Sequence, residues 1–211
     1  MNRNTEFSFD EENRSFSGYG IVFDSDSLPL VIQDRDLGEV KVYEQITRES
    51  MEGANVDDMI SARDHNFSQI LGRTSAGTLE LSVDDKGVMY RIPSLPDTTY
   101  ANDLQVSTSR GDIRGSSFTF SIDWEKGYDI QERSDGGLVA KPRQITKVYE
   151  MGPVTNPAYP DTTAENRSAG LVKAVEAFFQ RKAEDDAVEE NINEDQMSDL
   201  EKRLRLEEAA L

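Results

Sequence analysis

Gly115-Ser116-Ser117-Phe118-Thr119-Phe120-Ser121-Ile122 is the stretch whose reading decides the fold. With a period of two, Phe118, Phe120 and Ile122 fall on one face and Ser117, Thr119 and Ser121 on the other. That is a half-buried strand with an aromatic core face and an outward row of hydroxyls. A serine on such a strand is held by a rigid element at the edge of an open groove. It becomes a nucleophile only with a base beside it, and the chain contains one histidine, His65.

The flanking sequence repeats the strand pattern. Phe16 to Phe23 reads as a strand whose glycines mark a bend or bulge. Val40, Val42 and Ile46 alternate with polar residues, and Thr47 to Met51 reads as a short helix or turn. Asn55 to Ala62 follows neither period. Ile70 to Thr74 opens the clearest region. Leu79, Leu81 and Val83 alternate, Asp84-Asp85-Lys86-Gly87 turns the chain, and Val88 to Ile92 returns it as a hairpin. Thr98 or Thr99 caps a helix running to about Ser109, with Gly111 as its stop. The strand carrying Ser117 then spans Ile113 to about Trp124. Leu138 to Tyr149 reads as one further strand, in which Pro142 favours an edge or a bulge. Strands at short intervals joined by turns predict a mainly β fold: a small antiparallel barrel, closed or nearly so, with a few helices outside.

The ends read differently. Residues 1–15 are polar and are expected to be a flexible N-terminus. After Pro160 the composition shifts, and Asp161 to Ser168 reads as a linker. Leu171, Val172, Val175, Phe178 and Phe179 recur at helical spacing. An acidic run follows, and Met197, Leu200, Leu204 and Leu211 then share one face of a helix or short coiled coil. The expected organisation is a domain over 16–163 and an acidic helical tail over 164–211. That tail is either a solvated appendage or a segment that docks on an assembly.

Composition narrows the function. Cysteine is absent, which removes disulfides, thiol nucleophiles and thiolate metal sites. With a single histidine no metal is expected, and no cofactor motif appears: Gly18-Tyr19-Gly20 lacks the Gly-Lys-Ser/Thr of a phosphate loop. The net charge of −18 repels phosphate backbones, so nucleic acid is not an expected partner. The sequence has no bilayer-length apolar run and no signal-peptide block at its start, so membrane partners are not expected and a cytoplasmic location is.

Ser117 is therefore the candidate nucleophile. Ser116 is its rival, on the face shared with the phenylalanines. His65 titrates in the range a general base needs. A third group must accept a hydrogen bond from the far ring nitrogen. Asp64 is a poor choice because neighbours in an extended chain face opposite ways. Glu150, read as the end of the last long strand, is the better one. Lys126, Lys141 and Lys147 leave a Ser–Lys dyad open.

Several motifs occur in order. They are His65-Asn66, Ile70-Leu-Gly-Arg-Thr74, Gly77-Thr-Leu79, Leu95-Pro-Asp-Thr98, Gly115-Ser-Ser-Phe118-Thr-Phe120 and Glu150-Met-Gly-Pro-Val-Thr-Asn-Pro-Ala-Tyr-Pro160. Together they resemble the prohead maturation serine proteases of tailed bacteriophages, related in fold to herpesvirus assemblin, from about Phe16 to Thr163. The resemblance implies a serine endopeptidase with an assemblin-like β-barrel, in which His65 is the base, Ser117 the nucleophile and Glu150 the third member. It implies as substrates the scaffold or the scaffolding segment of the major capsid protein, and the enzyme itself, within the procapsid in the host cytoplasm; self-association into a homo-oligomer is left open. Two departures stand out. Arg63-Asp64 precedes His65 where the family has an apolar residue and Asn, and Thr119 stands where the family has Gly. They motivate an alternative, a catalytically inactive scaffold or capsid-binding module with the same fold. A ligand-binding barrel of lipocalin type accommodates the strands but leaves His65 and the tail without a role.

Overall fold

The computed structural model describes residues 7–10, 12–34, 38–156 and 170–184. Twelve strands are found among them. The first eight are β1 (Phe7–Asp10), β2 (Ser15–Val22), β3 (Leu30–Asp34), β4 (Gly38–Glu44), β5 (Ile60–Ala62), β6 (Ile70–Arg73), β7 (Glu80–Val83) and β8 (Gly87–Ile92). After helix α2 (Thr99–Ser109) come β9 (Gly115–Ile122), β10 (Tyr128–Glu132), β11 (Leu138–Pro142) and β12 (Ile145–Val154). A short helix α1 (Arg48–Met51) follows β4, and a 3-10 turn over Arg63–His65 follows β5. The α1 helix starts on a reciprocal cap: the Thr47 hydroxyl accepts from the Ser50 amide at 3.1 Å, and the Ser50 hydroxyl from the Thr47 amide at 3.1 Å.

The strands form three four-stranded sheets, ordered β1-β2-β8-β7, β10-β11-β4-β3 and β6-β5-β12-β9. The mainly β class is therefore as the alternation implied, but no closed barrel is found among the described residues. The all-antiparallel expectation also needs correction. The pairs β4–β11 and β5–β12 are parallel, and parallel neighbours are joined by long crossovers that local alternation does not register.

Several boundaries move. Phe7–Asp10 pairs with β2 inside the stretch expected to be flexible. The single strand expected over Leu138 to Tyr149 is two, β11 and β12, broken at Arg143-Gln144 just after Pro142. Consequently Glu150 lies within β12 rather than at its end. Strands β3 and β10 were not expected, although Tyr128 and Ile130 of β10 alternate with Asp129 and Gln131. The bulge expected near Gly20 is present, as a register shift between Tyr19 and Ile21 against β8. The helix expected from Thr98 to Ser109 and its Gly111 stop, at φ +78°, are also present.

The chain divides into two units at Gly170/Leu171. Residues 170–184 are helical, as the apolar spacing implied, and Phe178 and Phe179 pack edge to face with centroids 5.4 Å apart. The linker expected over Asp161 to Ser168 and the second tail helix expected from about Glu194 lie outside the described residues. Among the described residues no helix is long and apolar enough to cross a membrane.

What matters for the site is how β9 is seated. Phe118 and Phe120 stack on one another at 5.2 Å, so they share a face. On that same face the Ser116 hydroxyl bonds the phenol of Tyr90 on β8 at 2.9 Å, and both residues are buried. Burial pushes the Tyr90 phenol above its ordinary value near 10.0; the Ser116 bond opposes this and the Glu150 charge adds to it. Tyr90→Phe is expected to lower the unfolding free energy by about 1–2 kcal/mol in a urea titration at neutral pH, because it leaves the Ser116 hydroxyl unpaired. The deficit should shrink above about pH 10. There the unfolded phenol ionises while the buried one stays neutral, so the wild type loses stability that the Phe variant never had.

Candidate active site

The site is built on the ladder between β9 and β12. In that register Thr119 stands opposite Glu150, and Ser117 opposite Gly152. A register shift between Val148 and Glu150 makes Tyr149 a bulged residue. Glu150 is then turned onto the hydroxyl face of β9. Its carboxylate accepts a hydrogen bond from Thr119 Oγ1 at 3.2 Å. The hydroxyl row expected on that face is thus real. Further along it, Ser121 bonds Thr146 Oγ1 at 2.8 Å.

His65 reaches the same face from β5. That strand runs parallel to β12, with Ile60 opposite Glu150. Just beyond it, Asp64 and His65 adopt φ of +51° and +56°, two consecutive left-handed residues that are not glycine. Such a backbone is strained and persists only when its surroundings hold it. Two contacts do so. The Asp64 carboxylate accepts the Thr155 amide at 2.6 Å and the Thr155 hydroxyl at 3.1 Å. The imidazole Nδ1 donates to Glu150 Oε2 at 2.6 Å. Asp64 is indeed not the partner of His65, although the cause is this tight turn and not an extended chain. It clasps the residue that follows β12.

Gly152 makes the approach possible. A Cβ there would lie well inside contact distance of the Ala62 carbonyl oxygen, 3.0 Å from the Ala62 nitrogen and 3.1 Å from Glu150 Oε1. The backbone leaving β5 therefore closes over Gly152, where no side chain can stand.

The imidazole and its carboxylate differ in exposure. Glu150 is wholly buried, and the His65 side chain is 28% exposed. A buried acceptor on Nδ1 assigns the proton to that nitrogen and leaves Nε2 as the unprotonated one. Ser117 is half-buried on the same face, two pairings along from Thr119. Among the described residues its hydroxyl is not hydrogen-bonded to His65, and such contacts commonly tighten only around substrate. Ser116 is 6% exposed and engaged with Tyr90. Of the lysines considered, Lys126 bonds Gln144 at 3.3 Å and Lys147 lies over the Tyr149 ring at 5.0 Å, so neither contact involves Ser117.

The roles of Thr119, Asp64 and Gly152 escaped sequence reasoning. Each depends on which residues face one another across the ladder. The shared face of Ser117 and Thr119 was the one signal available.

A β-sheet protein with an imidazole bonded to a buried carboxylate, on the ladder that carries a strand-borne serine, has the kind of arrangement on which serine hydrolases are built. A family model described as caudovirus prohead serine protease matches residues 3–176. The chain belongs to that family, and the match extends beyond both ends of the stretch that the motifs marked. Comparison with curated proteins and with solved structures returns no match.

Gly152→Ala is expected to destabilise the protein by about 1–3 kcal/mol in thermal or urea unfolding, because the atom it strikes is backbone and cannot rotate away.

Proposed function

We propose that this chain is an active prohead maturation endopeptidase that uses Ser117, His65 and Glu150. His65 Nε2 takes the Ser117 proton, and the alkoxide attacks the scissile carbonyl carbon. The C–N bond breaks as Nε2–H protonates the leaving amine. A water deprotonated by Nε2 then cleaves the acyl-serine, releasing the carboxylic acid product and restoring Ser117. Glu150 holds the ring and balances the charge of the imidazolium.

The observation that carries this reading is the 2.6 Å bond between His65 Nδ1 and the buried Glu150. The chain's one histidine makes a bond through Nδ1 to the residue paired with Thr119, on the ladder that carries Ser117, and keeps Nε2 as the unprotonated ring nitrogen. The match to the prohead protease family supports a substrate class of procapsid proteins: the scaffold, or the scaffolding segment of the major capsid protein, with self-cleavage as well. The place of action is then the interior of the procapsid. The two departures noted above have partners of their own, Thr119 on Glu150 and Asp64 on Thr155. Neither leaves a gap that would favour the inactive module.

A fluorophosphonate probe followed by intact mass measurement tests the assignment. One adduct on Ser117 is expected, absent in Ser117→Ala and retained in Ser116→Ala. Co-expression with the capsid protein should show cleavage that His65→Ala lowers by about 10²–10⁴-fold. Cleavage by Ser117→Ala at the wild-type rate would sink the assignment, and a chain that neither labels nor cleaves would point to the inactive module.

A further inference from the structure

We propose that Thr119 is a positioning residue of this site: its hydroxyl holds the Glu150 carboxylate in the rotation that keeps the His65 proton on Nδ1. It has this role only if His65 and Glu150 act as set out above.

The two oxygens of Glu150 are not equivalent. Oε2 accepts both from His65 Nδ1 at 2.6 Å and from Thr119 Oγ1 at 3.2 Å. Oε1 is buried and has no hydrogen-bond partner. The terminal torsion of a glutamate is broad and roughly two-fold, so nothing intrinsic keeps one oxygen towards the ring. Without a second donor, the carboxylate can tilt until neither oxygen is aligned with the Nδ1 proton. Thr119 supplies that donor from across the ladder. Directly paired residues have Cβ atoms about 4.5–5.5 Å apart, and a β-branched side chain on a strand is stiff about χ1. The donor is therefore set in place by the register of β9 against β12.

The bond has an electronic consequence as well as a geometric one. A carboxylate that accepts from Thr119 is a weaker base towards the Nδ1 proton, because part of its charge is already shared. The proton stays on the ring, and Nε2 stays the atom that can take the serine proton. The other oxygen lies beside Gly152, where a Cβ would stand 3.1 Å from it, and the Ala62 backbone closes over the same glycine.

The single histidine makes the test clean, because every imidazole signal from the full-length chain belongs to His65. In histidine-labelled protein we expect a downfield, exchange-protected Nδ1–H resonance and ring nitrogen shifts of the Nδ1–H tautomer. Thr119→Val keeps the shape and removes the donor. It should broaden or move that resonance and slow fluorophosphonate labelling of Ser117 by about tenfold. Thr119→Ser should restore both. A valine variant with wild-type ring signals would overturn the proposal, as would a serine variant as impaired as the valine one. The spectra need no turnover. A failure of the catalytic assignment would show separately, as an unlabelled Ser117 beside an intact Nδ1–H signal.

Discussion

The bond between His65 and Glu150 is the constraint around which the rest of this site is arranged. A carboxylate taken wholly out of water loses several kcal/mol of hydration, on the order given by buried-ion measurements, and recovers it only through well-placed donors. Glu150 has two, both on one oxygen. One of them comes from a turn that is itself strained. The carboxylate and the turn therefore stabilise each other: the imidazole satisfies Glu150, and Glu150 helps to keep Asp64 and His65 in the left-handed region. Such mutual dependence is costly for stability and useful for chemistry, because it fixes a ring in one tautomer before any substrate arrives.

That arrangement imposes conditions on three separate strands. From β5, the backbone at Ala62 must close over β12, which is possible only opposite a residue without a side chain. Strand β12 must bulge at Tyr149 so that Glu150, rather than its neighbour, meets the hydroxyl face. Strand β9 must put a donor at 119 and a small hydroxyl at 117. The parallel pairing of β5 with β12 matters here. It brings Ile60, which lies five residues before His65, alongside Glu150, so the chain runs past Glu150 and the left-handed turn at Asp64 and His65 brings the ring back to it.

Much of this was legible from the residues. The alternation in 115–122 predicts a strand with the right two faces, and the stacked Phe118 and Phe120 confirm them. Absence of cysteine and a single histidine leave His65 as the only imidazole base. The β7–β8 hairpin follows from turn residues that act locally, and helix α2 stops at Gly111 as expected, although the threonine cap expected at its start makes no side-chain capping bond. What was not legible is non-local. The parallel pairs and the split into three sheets depend on crossovers that link strands far apart in the chain. Glu150 reads as the end of the last long strand, before Gly152 and Pro153. In fact β12 continues through both: Gly152 is needed where Ala62 closes over it, and Pro153 is still paired with Ser116. The partnership of Thr119 with Glu150 needs the register, which no period-two pattern contains.

The choice between Ser116 and Ser117 shows how register becomes chemistry. The two residues are chemically identical and adjacent, and a slip of one position would exchange them. Three contacts oppose that slip. Ser116 is hydrogen-bonded to the buried Tyr90, Phe118 and Phe120 stack on the same side, and Thr119 bonds Glu150 on the other. A slipped strand would bury Ser117 and Thr119 against an aromatic core and turn two phenylalanines towards a buried carboxylate. Each of those exchanges costs on the order of a few kcal/mol. The packing that stabilises β9 is therefore the same packing that decides which hydroxyl shares a face with Thr119 and Glu150, so the choice between the two serines is set by the core on the far side of the strand.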